Sequence, residues 1–496
     1  MKKIQIVMLA ASAAGFWAGC SSLPSVGPNY EEPKYDLPSS AVPDAGYPTT
    51  NKTASGEFKP ATTNEDPRLV ITADSIRAWW AQFNDATLTN LIGHAVSNNL
   101  SYLIVQERLL QARWAVVGSK AAFLPNVSLD GTYTRSGAHR FTSQRWGSGK
   151  NSHGNHWNSG FDATWEIDIF GGTRRALEAS EAMLDAAQCN VDAAWVSLSS
   201  EIGRQYITLR TAQERLRVAR ANLKLQGETY DILKSRLDSG IGDELAVNQA
   251  KYNVEQTGAT IPKLLAEEEV CKNALAILVG TTPGQLHAEL EPLSDRDWVV
   301  APQRLAEIPL NLVRSRPDVR AAERALAAQS ANVGVARSYL FPKFYINGSL
   351  GLDSVETAKF FRRDSFLASI GPSFSWPIFQ GGNLIANMKK EESKMNEAAL
   401  NYELALMTAL GETRNAYSAY TQEYHRYQSL QGAVKAARAA VDISNDLYKN
   451  GLKDFNNVLD AQRSLLSLEE SLAVSRGTIT LDLIALYKAL GGGVSL

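Results

Sequence analysis

Four stretches of the chain alternate apolar and polar side chains with a period of two, and the segments between and after them turn to the longer period of a helix. In the first, Val127, Leu129, Gly131 and Tyr133 alternate with Ser128, Asp130, Thr132 and Thr134. In the second, Trp157, Ser159, Phe161, Ala163, Trp165, Ile167 and Ile169 alternate with Asn158, Gly160, Asp162, Thr164, Glu166 and Asp168. Phe344 to Asp353 and Phe366 to Trp376 repeat the arrangement, the fourth stretch containing Pro372, which lacks a ladder donor. Each predicts a strand with one apolar face, aromatic near its ends, and one small or polar face. A half-buried sheet of a soluble protein would satisfy any one of them. Four paired segments of about ten residues fit strands that meet lipid on one side and water on the other.

Helical periodicity opens near Ile76-Arg77-Ala78-Trp79-Trp80, breaks around Asn98-Asn99 and runs to Phe123, where Pro125 stops it. After each strand pair it returns for far longer. Arg174 to Asp238 and Asn383 to Asn450 would each extend about 100 Å as continuous helix. Returning helices are expected from about Asp243 to Val279 and from about Asp454 to Leu490. Alanine, leucine, glutamate and glutamine dominate these stretches, and their apolar stripes need neighbours in an extended coiled-coil-like array.

The chain also repeats itself. Residues from about 195 to 280 align without a gap on residues about 211 positions later. Glu201 falls on Glu412, Tyr206 on Tyr417, Asp231 on Asp442, Gly240 on Gly451 and Gly280 on Gly491. The expected organisation is therefore a signal segment (1–19), an extended tether (20–75), a first repeat (76–280), a linker (281–313), a second repeat (314–490) and a short tail (491–496). In the first repeat a strand pair over 127–169 leads into a helical hairpin over 174–279. In the second the corresponding segments are 344–377 and 383–490. The tether is rich in Pro, Ser, Thr, Gly and Asn, and the linker holds Pro283, Pro292, Pro302 and Pro309.

Net charge is −2 with no long basic tract, which argues against a nucleic-acid partner. Lys2 and Lys3, the apolar run Ile4 to Ala14, and Gly15-Phe16-Trp17-Ala18-Gly19-Cys20 read as a secretory signal. That run is too short to span a bilayer, and no later stretch is apolar for long enough, so any membrane crossing falls to strands. Of the three cysteines, Cys20 belongs to the signal, and Cys189 and Cys271 sit about 30 Å apart along the first hairpin, too far to bridge. No enzyme is read here. His153 and His156 lack further ligands, Gly149-Lys150 lacks the rest of a phosphate loop, and no paired-cysteine or nucleophile-elbow motif occurs. Neither a cofactor nor a metal site is expected.

Small residues directly before Cys20 resemble a bacterial lipobox, which implies acylation at Cys20; Ser21 after it resembles lipoproteins sent on to the outer membrane. Val26-Gly27-Pro28-Asn29-Tyr30-Glu31-Glu32-Pro33, Arg316-Pro317-Asp318-Val319-Arg320-Ala321-Ala322-Glu323, and Pro377-Ile378-Phe379-Gln380-Gly381-Gly382 follow. So does Val458-Leu459-Asp460-Ala461-Gln462-Arg463-Ser464-Leu465. In this order and spacing they resemble the bacterial outer-membrane factor family, TolC-like channels, and within it the lipoprotein efflux branch. The resemblance implies an internally duplicated α+β membrane protein. It would form a homotrimer, each subunit giving four strands to a twelve-stranded barrel in outer-membrane lipid and its helices to a long periplasmic helical barrel. It implies a passive exit duct for drugs or small solutes, served by a periplasmic adaptor and an inner-membrane pump. A channel for type I protein secretion is the alternative within the class, and a soluble periplasmic helical scaffold the alternative outside it. By the same resemblance Asp460 lines the narrow periplasmic tip and Asn456 occupies a second constriction position, polar here where relatives are often apolar. Leu245 and Gln249 hold the equivalent places in the first repeat. Arg236, Asp243, Tyr448, Lys449, Lys453 and Asp454 flank the two turns as candidate latches between neighbouring hairpins.

Overall fold

The computed structural model describes residues 25–33, 50–52, 58–60, 68–69, 76–137, 153–291, 304–305, 310–450 and 452–492. Cys20 lies outside them. Short strands β1 (Thr50–Lys52), β2 (Phe58–Pro60) and β3 (Arg68–Leu69) come first. A 3-10 turn at Trp79–Phe83 precedes helices α1 (Ala86–Asn98) and α2 (Leu100–Ala121). The first repeat continues with β4 (Asn126–Gly137), β5 (His153–Ile167), α3 (Gly172–Asp238) and α4 (Glu244–Val279). After β6 (Arg304–Leu305) and α5 (Leu310–Arg314) come α6 (Pro317–Ser338), β7 (Lys343–Ser354), β8 (Phe366–Ser375), α7 (Asn383–Lys449) and α8 (Phe455–Ala489). Two segments read as tether and linker are tied together. Residues 68–69 pair in parallel with 304–305, a ladder too short to leave any periodicity in the sequence.

The chain divides into two compact units. One comprises Met1–Lys34, Leu109–Ala187 and Ala321–Tyr402, and holds a four-stranded antiparallel sheet of order β4-β5-β7-β8. Its register puts the predicted apolar residues that fall within the paired strands on one face. Leu129 lies opposite Phe161, Phe161 opposite Leu350, and Leu350 opposite Ala368. The other face pairs Ser128 with Asp162, Asp162 with Ser349 and Ser349 with Ser369. Large side chains on the apolar face remain open, Leu129 at 65 %, Ile370 at 83 % and Phe374 at 69 % exposure, an arrangement that only a non-aqueous neighbour favours. Aromatics mark both ends of this face. Tyr133 and Trp157 lie 4.2 Å apart near the hairpin turns. At the helix-bearing end the indole N–H of Trp165 donates to Phe123 O at 2.9 Å and that of Trp376 to Leu340 O at 3.0 Å. Trp165 and Trp376 stand 211 positions apart, so the duplication reaches into the strands. Pro372 is accommodated in β8, an edge strand of the chain's sheet, opposite Ile346. Gly160 and Gly351 face each other across β5 and β7. A Cβ on Gly160 would stand 2.7 Å from Gly351 Cα, so neither position admits a side chain without separating the strands.

In the same unit residues 25–33 are pinned in place. Val26 N–H donates to Phe170 O at 3.1 Å, and the buried Arg175 donates to Val26 O and to Asn29 Oδ1, the latter at 2.7 Å. Gly27 has φ of +110° and rests on Gly334, whose Cα a Cβ would meet at 2.5 Å.

The second unit comprises Tyr35–Arg108, Gln188–Arg320 and Glu403–Leu496. Its core forms around Trp79, which stacks on Tyr487 at 6.1 Å and occupies the space that Gly203 leaves by lacking a side chain. Asp85 caps α1 by accepting from Thr87 N and Leu88 N. Asn99 makes the break before α2, its Oδ1 accepting from Tyr102 N and its Nδ2 donating to Leu278 O. Cys189 and Cys271 are buried.

One carboxyl in this unit works against the fold. On α8, burial and then the neighbouring Glu423 push Asp482 up from 3.8 to about 6. Glu423 itself accepts from Ser475 Oγ at 2.5 Å and from Arg426 Nη1 at 3.2 Å. A carboxyl raised in the folded state costs nothing below its unfolded pKa, and the cost grows as pH rises from there through the folded value. Asp482→Asn is therefore expected to raise the melting temperature of detergent-solubilised protein at pH 7.5 and to change it little at pH 4. Equal melting of both proteins at pH 7.5 would show that the carboxylate carries no penalty.

Candidate functional site

In the second unit the helices of both hairpins turn. Leu233 from α3, Ala246 and Ala250 from α4, and Phe455, Val458 and Leu459 from α8 form one buried apolar cluster, with Tyr230, Val247 and Tyr448 packed on it. At about 25 cal/mol per Å² such a cluster fixes the two turns relative to each other without specific bonds. The first turn closes through Gly240 at φ +76° and the bond from Ile241 N–H to Arg236 O at 3.1 Å. Gly242 follows where a Cβ would stand 2.4 Å from Leu237 N. In the second turn Leu452 N–H donates to Leu447 O at 2.9 Å.

The candidate constriction residues sit beside this cluster. Leu245 and Gln249 follow each other by one helical turn on α4, as do Asn456 and Asp460 on α8, so each pair shares a helix face. Leu245, Asn456 and Asp460 are exposed and Gln249 half-buried. Of the six latch candidates, the structure brings together Arg236 and Tyr448, the guanidinium 5.4 Å from the ring centroid. Tyr448 in turn meets Phe455 edge-on at 5.6 Å. Asp243 caps α4 instead, its Oδ1 accepting from Leu245 N at 3.0 Å. Lys449, Lys453 and Asp454 are exposed, and among the described residues they make no ion pair.

A second pin one turn above escaped the sequence reading. Arg463 Nε donates to Asn253 Oδ1 at 3.0 Å and its guanidinium lies 5.6 Å from the Tyr252 ring. Buried Gln462 donates to Thr229 Oγ1 at 3.2 Å. The signal was available, because Tyr252 and Arg463 are equivalent positions of the two repeats, as are Val247 and Val458 in the cluster. Equivalent residues meet where α4 and α8 pack in register. Among the apolar side chains open to solvent outside the cluster, four fall in equivalent pairs: Ile232 at 55 % with Ile443 at 60 %, and Ile241 at 74 % with Leu452 at 69 %. Among the described residues no group of three His, Cys, Asp or Glu side chains is placed to hold a metal ion. No helix among them is long and apolar enough to cross a membrane.

The geometry finds company among known proteins. The family model described as outer membrane efflux protein matches residues 91–281 and 309–492. Nodulation protein T of Rhizobium leguminosarum bv. trifolii is 31 % identical over 449 residues, 90 % of each chain. The pyoverdine export outer membrane protein OpmQ of Pseudomonas putida is 29 % identical over 418 residues, 84 % of this chain and 88 % of the relative. Among solved structures the outer-membrane channel OprN superposes with a TM-score of 0.82 at 31 % identity, over 94 % of this chain and 99 % of that one.

Proposed function

The chain belongs to the outer membrane efflux protein family and is an outer-membrane efflux channel, and from that premise we propose that it is the passive exit duct of a tripartite system for small solutes. In this reading it assembles with copies of itself, because a sheet of four strands leaves the edges of β4 and β8 unpaired and hydrocarbon does not tolerate open edges; the resemblance to the family makes the assembly a homotrimer. A periplasmic adaptor docks on the helical tip and an inner-membrane pump supplies the energy. Acylated Cys20 anchors the chain. It precedes Val26 by six residues, so its acyl chains attach within about 20 Å of the point where Val26 bonds Phe170 beside the helix-bearing end of β5.

The observation that carries this reading is the tip. It presents exposed apolar residues at equivalent positions of both repeats, Ile232 with Ile443 and Ile241 with Leu452, which suit a surface that receives a partner. Beside it, Asp460 offers one carboxylate per subunit and Asn456 an amide, groups suited to an ion-selective ring. Arg236 over Tyr448 adds about 0.5–1 kcal/mol per subunit to the apolar cluster that joins the two hairpins, a contact weak enough to release on docking.

Planar-bilayer recordings test the constriction. Asp460→Ala is expected to weaken block by divalent cations several-fold, and Arg236→Ala to lengthen open times. Unchanged conductance together with unchanged divalent block would remove Asp460 from the constriction.

A further inference from the structure

The segment joining β7 to β8, residues 355–365, lies at the hairpin end of the sheet, opposite the end that carries the helices and therefore at the outer face of the membrane. It is a built loop rather than a slack one. Short 3-10 turns form at Thr357–Lys359 and Arg363–Ser365. Buried Ser354 donates to Glu356 O at 2.9 Å and accepts from Glu356 N–H at 3.2 Å. Buried Ser365 donates to Lys359 O at 2.8 Å, and Arg362 N–H to the same oxygen at 2.9 Å. These bonds hold the loop shape before any partner arrives, so little ordering entropy remains to be lost on binding.

The loop leans toward the lipid. Phe360 approaches Trp157 at 6.3 Å between ring centroids, and Trp157 with Tyr133 belongs to the apolar face of the sheet. Phe361 stands edge-on to Phe360 at 5.0 Å and is 87 % exposed, with Val355 at 66 %. Beside these rings are Arg362 and Arg363, both exposed, and Lys359, paired to Glu356 at 2.8 Å. Arg135 follows Tyr133 by two residues on β4 and so shares the lipid-side face. Asp364 is the remaining carboxylate of the loop. Four cations against two carboxylates, set at the level of an aromatic girdle, match an anionic headgroup whose acyl chains lie along the apolar face below. Guanidinium forks suit phosphate oxygens in particular.

We propose that this loop, through Arg362 and Arg363 with Phe361 beside them, binds the phosphorylated headgroup of an outer-leaflet glycolipid and so fixes the barrel's outer rim in its leaflet. The proposal rests on the reading of the sheet as membrane-spanning, and its test separates the two. Full-length protein in detergent is mixed with bisphosphorylated lipid A, with the same glycolipid stripped of phosphate, or with phosphatidylglycerol, and retained lipid is counted by native mass spectrometry. Wild type is expected to retain the bisphosphorylated form at least about tenfold better than either of the others, and Arg362→Gln with Arg363→Gln to lose that preference. Arg362→Lys with Arg363→Lys should keep much of it. Single-channel conductance and a heat-modifiable oligomer unchanged in the Gln variant show that the barrel itself is intact; their loss in wild type would strike the membrane reading instead. Equal retention by the Gln variant overturns the proposal, as does equal retention of the dephosphorylated lipid. Equal retention of phosphatidylglycerol overturns the glycolipid as occupant, and full displacement by millimolar inorganic phosphate would assign a free-anion site.

Discussion

Leu350→Arg is expected to abolish stable membrane insertion, while Ser349→Arg, one residue earlier, leaves an inserted and assembled protein. The two positions lie midway along β7 and point to opposite faces. Leu350 stands between Phe161 and Ala368, and its 49 % exposure is what remains for lipid. A guanidinium there costs about 2–4 kcal/mol at the bilayer midplane, once for every copy in the assembly. Ser349 stands between Asp162 and Ser369, with its hydroxyl 2.7 Å from that of Ser369. An arginine on that face would meet water and the Asp162 carboxylate. Sucrose-gradient fractionation and heat-modifiable mobility of the oligomer read the outcome. If both variants insert alike, or both fail alike, the two-faced reading of the sheet is wrong.

That contrast was legible in the amino-acid order because strands alternate strictly and the four stretches are long enough to show it. The neighbour relation of β5 and β7, nearly 180 residues apart, was not. Alternation names faces and not partners. The long helices and both turns were readable for the same reason of period, reinforced by the repeat. The pinning of residues 25–33 had no such signal, since it is made through backbone carbonyls, the Asn29 side chain and a Gly27–Gly334 approach that depends on an absent side chain, none of which follows a period. At the tip, charge and turn composition marked Arg236, Asp243, Tyr448, Lys449, Lys453 and Asp454 as one set. Their partners depend on which helix faces which. Arg236 reaches a ring in the other repeat at a non-equivalent position, Asp243 is taken by its own helix, and the remaining charges face solvent in the single chain. Conversely, the pin between Arg463 and Tyr252 could have been found by asking which residues share the 211-position offset.

The second large effect is expected from Arg316→Ala. Arg316 closes the second repeat on itself. Its side chain is 8 % exposed, donates from Nη1 to Ala489 O, the last residue of α8, at 2.9 Å, and from Nη2 to Glu412 on α7 at 2.7 Å. It also grips Asp318 with both Nε and Nη2, at 3.0 and 2.7 Å. Gly491, at φ +77°, lies against Arg316 and Pro317, so the chain end is fitted to this site. Truncation removes the hydrogen bonds to the Ala489 carbonyl and to two half-exposed carboxylates, and since solvent reaches both carboxylates the expected loss is about 2–3 kcal/mol. Arg316→Lys should recover only part, because an ammonium cannot span Asp318 bidentately while reaching Ala489. The acid limb of stability gives an independent readout. Burial alone would raise the Asp318 carboxyl, but the hydrogen bonds and charge of Arg316 outweigh it and hold the group below its usual range. A depressed carboxylate contributes stability that is present above its unfolded pKa and lost as pH falls through the folded one. Wild type should thus lose stability on acidification below the ordinary carboxylate range, and the alanine variant, having already lost the pairing, should show a flatter acid limb. Denaturant melts in detergent between pH 3 and 7 measure both. A variant within about 1 kcal/mol of wild type at pH 7, with the same acid slope, would mean that Arg316 does not tie α8 to the start of α6.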